Sequence, residues 1–333
     1  MAEFDLIELI RARCAIARDD VRLGIGDDAA LLAVPAGQLL ATSTDTLVAG
    51  VHFPAQTTAY DIGWKSLAVN LSDLAAMGAT PAWATLALTL PESDARWVAD
   101  FADGFAALAR EYKLALVGGD TTQGPLSITV TIHGFVPDGT ALLRSGARVG
   151  DAVYVTGTPG DAAAGLRCLD KNDDDADRLL SAPAGMRESL IERLNRPTPR
   201  VAQGLALRGH ATACIDVSDG LLADLSHICK ASGTGAEIDV DSLPSSSALL
   251  ALFDDESRRT FQLCGGDDYE LCFTATETGA ANETGAANLL GDLARSGCAA
   301  TRIGRIVAEP GVRVHDSAGR AVMLPRAGWE HFV

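Results

Sequence analysis

Residues 68–83 have the sequence AVNLSDLAAMGATPAW, which joins a helix to a strand. Apolar side chains recur at helical spacing up to this point, and Gly78 and Pro81 then end the helix because neither residue suits a helix interior. The apolar run over residues 82–90 predicts a strand. We therefore predict a helix over residues 59–77 that leads directly into a strand, a basic unit of an α/β fold.

Helices and strands alternate on both sides of this unit. We predict an amphipathic helix over residues 3–17, a strand over 38–44, a helix over 93–112, and strands over 114–117 and 127–136. This alternation predicts a first mixed α/β domain, residues 1–140.

A second α/β domain is predicted over residues 150–333. Its expected strands are residues 152–156, 213–215, 269–274, 301–307 and 311–315, and its expected helices are residues 160–170, 185–195, 199–208 and one that begins at 220. A length of 333 residues suits two domains of ordinary size. The predicted fold class is therefore α/β, of the α+β type, with an N-terminal mixed sheet and helices followed by a C-terminal α/β domain.

Two polar segments are predicted to be surface loops that do not bear on function. Residues 170–177 form an acidic run, DKNDDDAD, and residues 277–288 contain the hexamer ETGAAN twice. A short duplication of small polar residues is typical of a tolerated loop insertion.

Composition restricts the classes of partner and compartment. The net charge of −17 would repel a phosphate backbone, so we expect no nucleic acid partner. No apolar run reaches the length of a membrane span, and the N-terminal residues lack the pattern of a signal peptide, so we expect no membrane association. The seven cysteines are scattered and never form a Cys-x-x-Cys pair, which indicates reduced thiols in the cytoplasm.

Short polar segments that contain Asp interrupt the apolar elements in both halves of the chain. They are Gly24–Ala29 (GIGDDA), Ser43–Asp45, Asn70 with Asp73, Gly118–Thr122, Asp216–Gly220 and Gly265–Asp268. Ligands of α/β domains gather at the ends of strands, where we expect most of these segments. Oxygen ligands without His or Cys companions select Mg²⁺ over zinc or copper. Several Mg²⁺ ions in turn imply a polyphosphate substrate.

A structural role for these acids is the alternative. An Asp at a helix start, such as Asp219, is explained by capping alone, and Asp27 and Asp28 alone would be an exposed acidic turn. The recurrence of the pattern favours a phosphoryl-transfer site with several Mg²⁺ ions. The chain has no P-loop and none of the protein kinase motifs, so a nucleotide must be bound in another way.

At these residues the sequence resembles the thiamine-monophosphate kinases, which are related to aminoimidazole ribonucleotide synthetase and selenophosphate synthetase. The matching stretches are GIGDDAALL (24–32), STDTLVAGVHF (43–53), AVNLSDLAAMGATPAW (68–83), LVGGDTT (116–122), RSGARVGD (144–151), YVTGTPGDAAAGL (154–166), IDVSDGLLADL (215–225) and GGDDYEL (265–271). The resemblance implies a two-domain fold like that of aminoimidazole ribonucleotide synthetase. It also implies a homodimer that pairs its N-terminal sheets, and ATP bound between the domains.

The resemblance implies a role for each matching residue. Metal ligands would be Asp28, Ser43, Thr44, Asp45, Asp73, Asp120, Asp216 and Asp219. The nucleotide would contact Tyr112, Gly119, Asp120, Arg144 and Ser218. Thiamine phosphate would contact His52, Asp267 and Trp329. The catalytic set would be Asp45, Asp73, Asp120 and Arg144. The chain has Asp267 where the family commonly has Glu.

The implied activity is ATP-dependent phosphorylation of thiamine phosphate to thiamine diphosphate. A phosphate monoester has a second pKa of about 6, so the acceptor is a dianion at neutral pH and needs no general base. Direct in-line transfer without a phosphoenzyme is the simpler hypothesis. Two alternatives remain at this point: another ATP-dependent enzyme of the wider family, or a non-catalytic acidic metal-binding protein.

Overall fold

The computed structural model describes residues 3–170, 179–183, 185–276, 286–322 and 328. These residues form two compact units, one containing the chain up to Leu74 together with Ala79–Ala141, and the other containing Ala75–Gly78 and the chain from Leu142 onward. The acidic run apart from Asp170, and most of the ETGAAN duplication, lie outside the described residues. None of the helices in the described residues has the length and apolar character that a membrane crossing requires.

The N-terminal unit contains a mixed four-stranded sheet, with strand order β3-β6-β4-β5. Its strands are β3 (Gln38–Val48), β4 (Thr80–Leu90), β5 (Ala115–Gln123) and β6 (Ser127–Pro137), and its helices are α1 (Glu3–Arg13), α2 (Ala59–Ala76) and α3 (Ala95–Glu111). Strands β4 and β5 are parallel, while β6 is antiparallel to both β3 and β4. A small antiparallel pair, β1 (Val21–Leu23) and β2 (Leu31–Leu32), precedes the sheet.

The two faces of the four-stranded sheet differ sharply in polarity. On one face Ile128, Val130 and Ile132 of β6 are fully buried, and Leu74 of α2 lies against the neighbouring position Gly134. On the other face threonines of adjacent strands bond to each other, as in Thr44–Thr131 at 2.9 Å and Thr46–Thr129 at 2.8 Å between hydroxyl oxygens. The helix-covered face is therefore the apolar core of this unit.

The C-terminal unit contains a six-stranded sheet, with strand order β12-β9-β11-β7-β10-β8. Its strands are β7 (Ala152–Thr156), β8 (Ala213–Val217), β9 (Gly235–Asp239), β10 (Glu270–Ala275), β11 (Ala300–Val307) and β12 (Gly311–His315). Its helices are α4 (Asp161–Leu169), α5 (Met186–Asn195), α6 (Val201–Leu207), α7 (Leu221–Ser232), α8 (Ser247–Leu252), α9 (Asp255–Cys264) and α10 (Ala286–Arg295). Helix α7 packs on the sheet through Leu221, Leu225 and Ile228, which belong to its apolar core.

The predicted two-domain α/β fold is confirmed, but the predicted ends of several strands and of the first helix were wrong. Strand β3 continues past residue 44 to Val48, and β5 continues past residue 117 to Gln123. The segments Ser43–Asp45 and Gly118–Thr122 therefore lie inside strands rather than in turns that follow them. Both strands contain a run of polar residues, and the apolar alternation that indicates a strand covers only the part before that run. The sequence pattern therefore predicts a strand that is too short.

Candidate active site

Two predicted ligands meet on the helix-covered side of the N-terminal sheet. The Ser43 hydroxyl on β3 donates to Asp73 Oδ2 on α2. The neighbouring Asp45 is fixed through its main chain, since its amide donates to Asn70 Oδ1 at 3.2 Å, and the Asn70 side chain in turn donates to the Ser66 carbonyl at 3.0 Å. The fully buried Asn70 is thus a positioning residue, indicated in the sequence only by its spacing from Asp73.

The structure does not bring Thr44 and Asp120 side chains to this group within one chain. The Thr44 hydroxyl is bonded to Thr131 on the sheet face opposite to the helices. Only the main chain of Thr44 therefore lies close to the side chains of Ser43 and Asp45. Asp120 on β5 lies in register with Ala87, Thr129 and Thr46 across the sheet. Three strand spacings, about 14 Å, therefore separate Asp120 from β3.

His52 occupies a tight turn that follows β3. The Val48 amide donates to His52 Nδ1 at 3.0 Å, and the His52 amide donates to the Val48 carbonyl at the same distance. A ring whose Nδ1 accepts this bond carries its neutral-state hydrogen on Nε2, where it can be donated to an anion. Lys65 is only 2% exposed, and its Nζ donates to the His52 carbonyl at 3.3 Å.

The remaining predicted residues of this unit lie near its sheet and loops. Gly119 has φ of +152°, and a Cβ there would lie 1.8 Å from the Leu86 carbonyl, so only glycine fits. Tyr112 is half-buried at the C-terminal end of α3. Asp28 is exposed in the loop between β1 and β2, and its amide donates to Asp27 Oδ1 at 2.9 Å.

The predicted acids of the C-terminal unit follow β8 into α7. Asp216 is buried at 4% exposure within the strand, and Ser218 and Asp219 form the turn that precedes the helix. The amides of Ser218, Asp219 and Gly220 all donate to Asp224 Oδ2, at 3.0, 3.1 and 3.2 Å. Burial raises the pKa of Asp224 to about 7, with a further contribution from the Asp219 carboxylate.

A second turn, residues 265–269, lies against this one. The amides of Asp267 and Tyr269 donate to the carbonyls of Ser218 and Val217, both at 2.8 Å. The Tyr269 hydroxyl donates to Asp267 Oδ1 at 3.2 Å, which orients the predicted substrate-contacting carboxylate. Asp267 and Tyr269 have φ of +69° and +51°, unusual values for residues with side chains. Such backbone strain is concentrated at functional sites.

The glycine-bearing turn before α4 is not a phosphate site. The amides of Gly160 and Ala162 at this helix start donate to the two carboxylate oxygens of Asp268, at 2.7 and 3.2 Å. Asp268 is fully buried. A phosphate at this helix N-terminus would need the same amides. The Asp268 carboxylate already occupies that anion position.

Arg144 and the C-terminal segment also belong to the C-terminal unit. Arg144 is exposed in a loop whose main chain is tied to Ser232: the hydroxyl accepts from the Gly146 and Ala147 amides, both at 3.1 Å. Trp329 lies outside the described residues. Its neighbour Gly328 approaches the turn before α7 so closely that a Cβ there would lie 2.7 Å from the Asp219 carbonyl.

The oxygen atoms of the predicted ligands are of the kind that Mg²⁺ prefers. Among the described residues there is no group of three or more His, Cys, Asp or Glu side chains arranged to hold a metal. Mg²⁺ is usually bound through one or two carboxylates, with waters and substrate phosphates completing the octahedron. Asp73 beside the Ser43 hydroxyl meets that requirement with oxygen donors alone.

Comparison with known protein families gives a match in each unit. Residues 26–136 match the model described as AIR synthase related protein, N-terminal domain, and residues 148–317 match the corresponding C-terminal domain. The thiamine-monophosphate kinase of Escherichia coli is 51% identical over 330 residues, which cover 99% of this chain and 98% of that protein.

Solved structures agree with these matches. The thiamine-monophosphate kinase of Stenotrophomonas maltophilia is 52% identical, with a TM-score of 0.84 over 97% of this chain and 98% of that one. AaThiL complexed with AMPPCP and TMP is 31% identical, with a TM-score of 0.75 over 99% of this chain and 97% of that one. The expected kinase class is confirmed, and a non-catalytic metal-binding protein is excluded. The chain belongs to the thiamine-monophosphate kinase family of the AIR synthase-related proteins.

Proposed function

We propose that this chain transfers the γ-phosphoryl group of ATP directly to thiamine phosphate, with Mg²⁺ held by its carboxylates. The observation that carries the metal assignment is the pair formed by Asp73 and the Ser43 hydroxyl, beside an Asp45 main chain fixed by Asn70. These oxygen donors are on a strand and a helix of the core, so they need little reorganisation to hold a cation.

The chain's residues divide into three roles. Asp28, Ser43, Asp45, Asp73, Asp120, Asp216 and Asp219, with the main chain of Thr44, would hold Mg²⁺. Tyr112, Gly119, Arg144 and Ser218 would contact ATP. His52, Asp267 and Trp329 would contact thiamine phosphate. Bound Mg²⁺ would offset the negative charge of the phosphates.

The acceptor end supports this assignment. His52 Nδ1 accepts the Val48 amide, so the neutral ring carries its hydrogen on Nε2, the donor that we assign to the dianionic phosphate. Asp267 would supply a negative charge for the cationic thiazolium ring. Gly328, which precedes Trp329 in the chain, lies against the Asp219 carbonyl. Because the acceptor oxygen is already deprotonated, the residues must position it and need not remove a proton.

We also propose that the enzyme is a cytoplasmic homodimer joined through the N-terminal unit. Strand β3 is an edge strand among the described strands, and Leu39 and Leu40 on it are 50% and 45% exposed. Such an edge is a template for pairing with another chain. Strand β5 forms the opposite edge of the sheet. Because Asp120 lies about 14 Å from β3 within one chain, it would share a Mg²⁺ ion with Asp73 only across the dimer interface.

Replacement of single carboxylates tests the metal assignment. We expect Asp73→Asn, Asp45→Asn and Asp120→Asn each to lower kcat by about a hundredfold or more while the melting temperature stays within a few degrees. Activity is measured as ADP release with thiamine phosphate over a Mg²⁺ titration. Asp100→Asn, an exposed position on α3, is the matched control. Near wild-type activity in all three variants would contradict the assignment.

A further inference from the structure

Asp224 lies on the fourth residue of α7 and is 3% exposed. One of its oxygens, Oδ2, accepts hydrogen bonds from three consecutive amides, those of Ser218, Asp219 and Gly220. These are donors at a helix start, where backbone amides have no partner within the helix. The Asp224 side chain therefore extends toward the start of the helix, where a single oxygen accepts the amides of all three residues of the turn.

The direction of these amides fixes the opposite side of the turn as well. In a planar trans peptide the carbonyl points away from the amide of the next residue. With the amides of Ser218 and Asp219 turned toward Asp224, the carbonyls of Val217 and Ser218 turn outward. There they accept the amides of Tyr269 and Asp267, at 2.8 Å each.

Asp224 is therefore linked to two turns by one continuous set of hydrogen bonds. The first turn contains Ser218 and Asp219, and the second contains Asp267, whose carboxylate is also bonded to the Tyr269 hydroxyl. Gly220, with φ of +124°, lies against the Cys264 main chain and allows the close packing of the two turns.

We propose that Asp224 is a positioning residue that sets the conformation of both turns, and that it acts as a hydrogen-bond acceptor rather than as a metal ligand. This inference rests on the proposed function of Asp219 and Asp267 at the site. Its essential property is the location of one acceptor oxygen, not its charge. Asparagine keeps an oxygen at that location, whereas glutamate keeps the charge but moves the oxygen by one methylene.

Two variants with opposite properties decide between these roles. We expect Asp224→Asn to keep kcat/KM for MgATP and for thiamine phosphate within about threefold of the wild type. We expect Asp224→Glu to lose about a hundredfold in both, because displacement of reacting groups by about 1 Å has that effect. The Mg²⁺ concentration for half-maximal rate should rise with Asp224→Glu only. Ser226→Ala, on the next turn of the same helix, is the control.

Hydrogen exchange gives a readout independent of activity. In Asp224→Ala the amides of residues 218–220, 267 and 269 should exchange at least tenfold faster than in the wild type, and in Asp224→Asn they should stay slow. An active Asp224→Glu with an inactive, folded Asp224→Asn would overturn the proposal, and so would wild-type rates in both. If Asp224→Glu does not fold, Asp224→Asn decides by the same two measurements. Wild-type activity of Asp219→Asn would instead contradict the proposed function of the turn.

Discussion

Glu270 shows how a single buried residue stabilises the C-terminal unit. It is fully buried, and its carboxylate accepts from Arg193 at 2.8 Å, from two nitrogens of Arg200 at 2.6 Å each, and from the Thr156 hydroxyl at 2.7 Å. Burial alone would raise the pKa of Glu270, but the two arginines and the hydroxyl hold it below its usual range. The ionised form of Glu270 is therefore favoured more strongly in the folded chain than in the unfolded chain.

Removal of this charge should destabilise the fold. We expect Glu270→Gln to lower the free energy of unfolding by about 3–5 kcal/mol, because two nearly buried guanidinium groups lose their partner. The matched control is Glu237→Gln, which breaks a Glu–Arg pair whose Arg305 side chain is 63% exposed and should cost less than about 1 kcal/mol. Urea unfolding at pH 7 measures both. Equal losses in the two variants would contradict the role assigned to burial.

The same ion pairs predict a dependence on pH. Since the pKa of Glu270 is lower in the folded than in the unfolded chain, its contribution is present above the ordinary glutamate pKa and is lost as pH falls through the folded value. The difference in unfolding free energy between the wild type and Glu270→Gln should therefore shrink below about pH 4. A difference that stays constant into that range would show that the carboxylate charge is not what stabilises the unit.

Two helices of the N-terminal unit cross at a pair of glycines. A Cβ on Gly104 of α3 would lie 1.9 Å from the Tyr60 carbonyl, and one on Gly63 of α2 would lie 2.0 Å from the Phe101 carbonyl. The backbones of α2 and α3 are thus in direct contact. Because α2 also contains Asn70 and Asp73, this contact helps to set the position of the proposed metal site relative to β3.

Alanine at these crossings should be destabilising in spite of its higher helix propensity. We expect Gly104→Ala and Gly63→Ala each to cost several kcal/mol, since the added methyl must push two backbones apart. Gly291→Ala in α10 is the control, because a Cβ there meets only the flexible Arg295 side chain at 3.3 Å. That control should stabilise the protein by about 0.5–1 kcal/mol. Thermal unfolding of the three variants provides the comparison, and stable Gly63 and Gly104 variants would contradict the close packing.

At the scale of the whole molecule, the proposed homodimer has a direct test. Light scattering should give about twice the chain mass of 34.6 kDa. If Asp73 and Asp120 act across the interface, a purified heterodimer of one Asp73→Asn chain and one Asp120→Asn chain has one intact site and about half of wild-type activity. Either mutant homodimer alone should be nearly inactive. An inactive heterodimer would place both residues of a site within one chain.

The sequence by itself determined the fold class, the family and most of the elements. The strands Ala152–Thr156 and Gly311–His315 and the helix Ala59–Ala76 were predictable to within one residue, because apolar periodicity and Gly or Pro stops are local properties. The Asp-containing segments were also recognisable, since residue type alone indicates ligands that prefer Mg²⁺. Strands β1, β2 and β9 and helices α8, α9 and α10 were missed, because most of these elements have short apolar patterns.

The tertiary structure decided which of these residues act together. It placed Thr44 and Asp120 on the face of the sheet opposite to Ser43, a consequence of strand alternation that depends on where β3 and β5 end. It also revealed the main-chain hydrogen bonds of Asn70 and Lys65, and those on which the proposed role of Asp224 rests. Each of these side chains is hydrogen-bonded to the main chain of another residue, and no residue type or spacing in the sequence indicates which amide or carbonyl will lie within reach once the chain has folded.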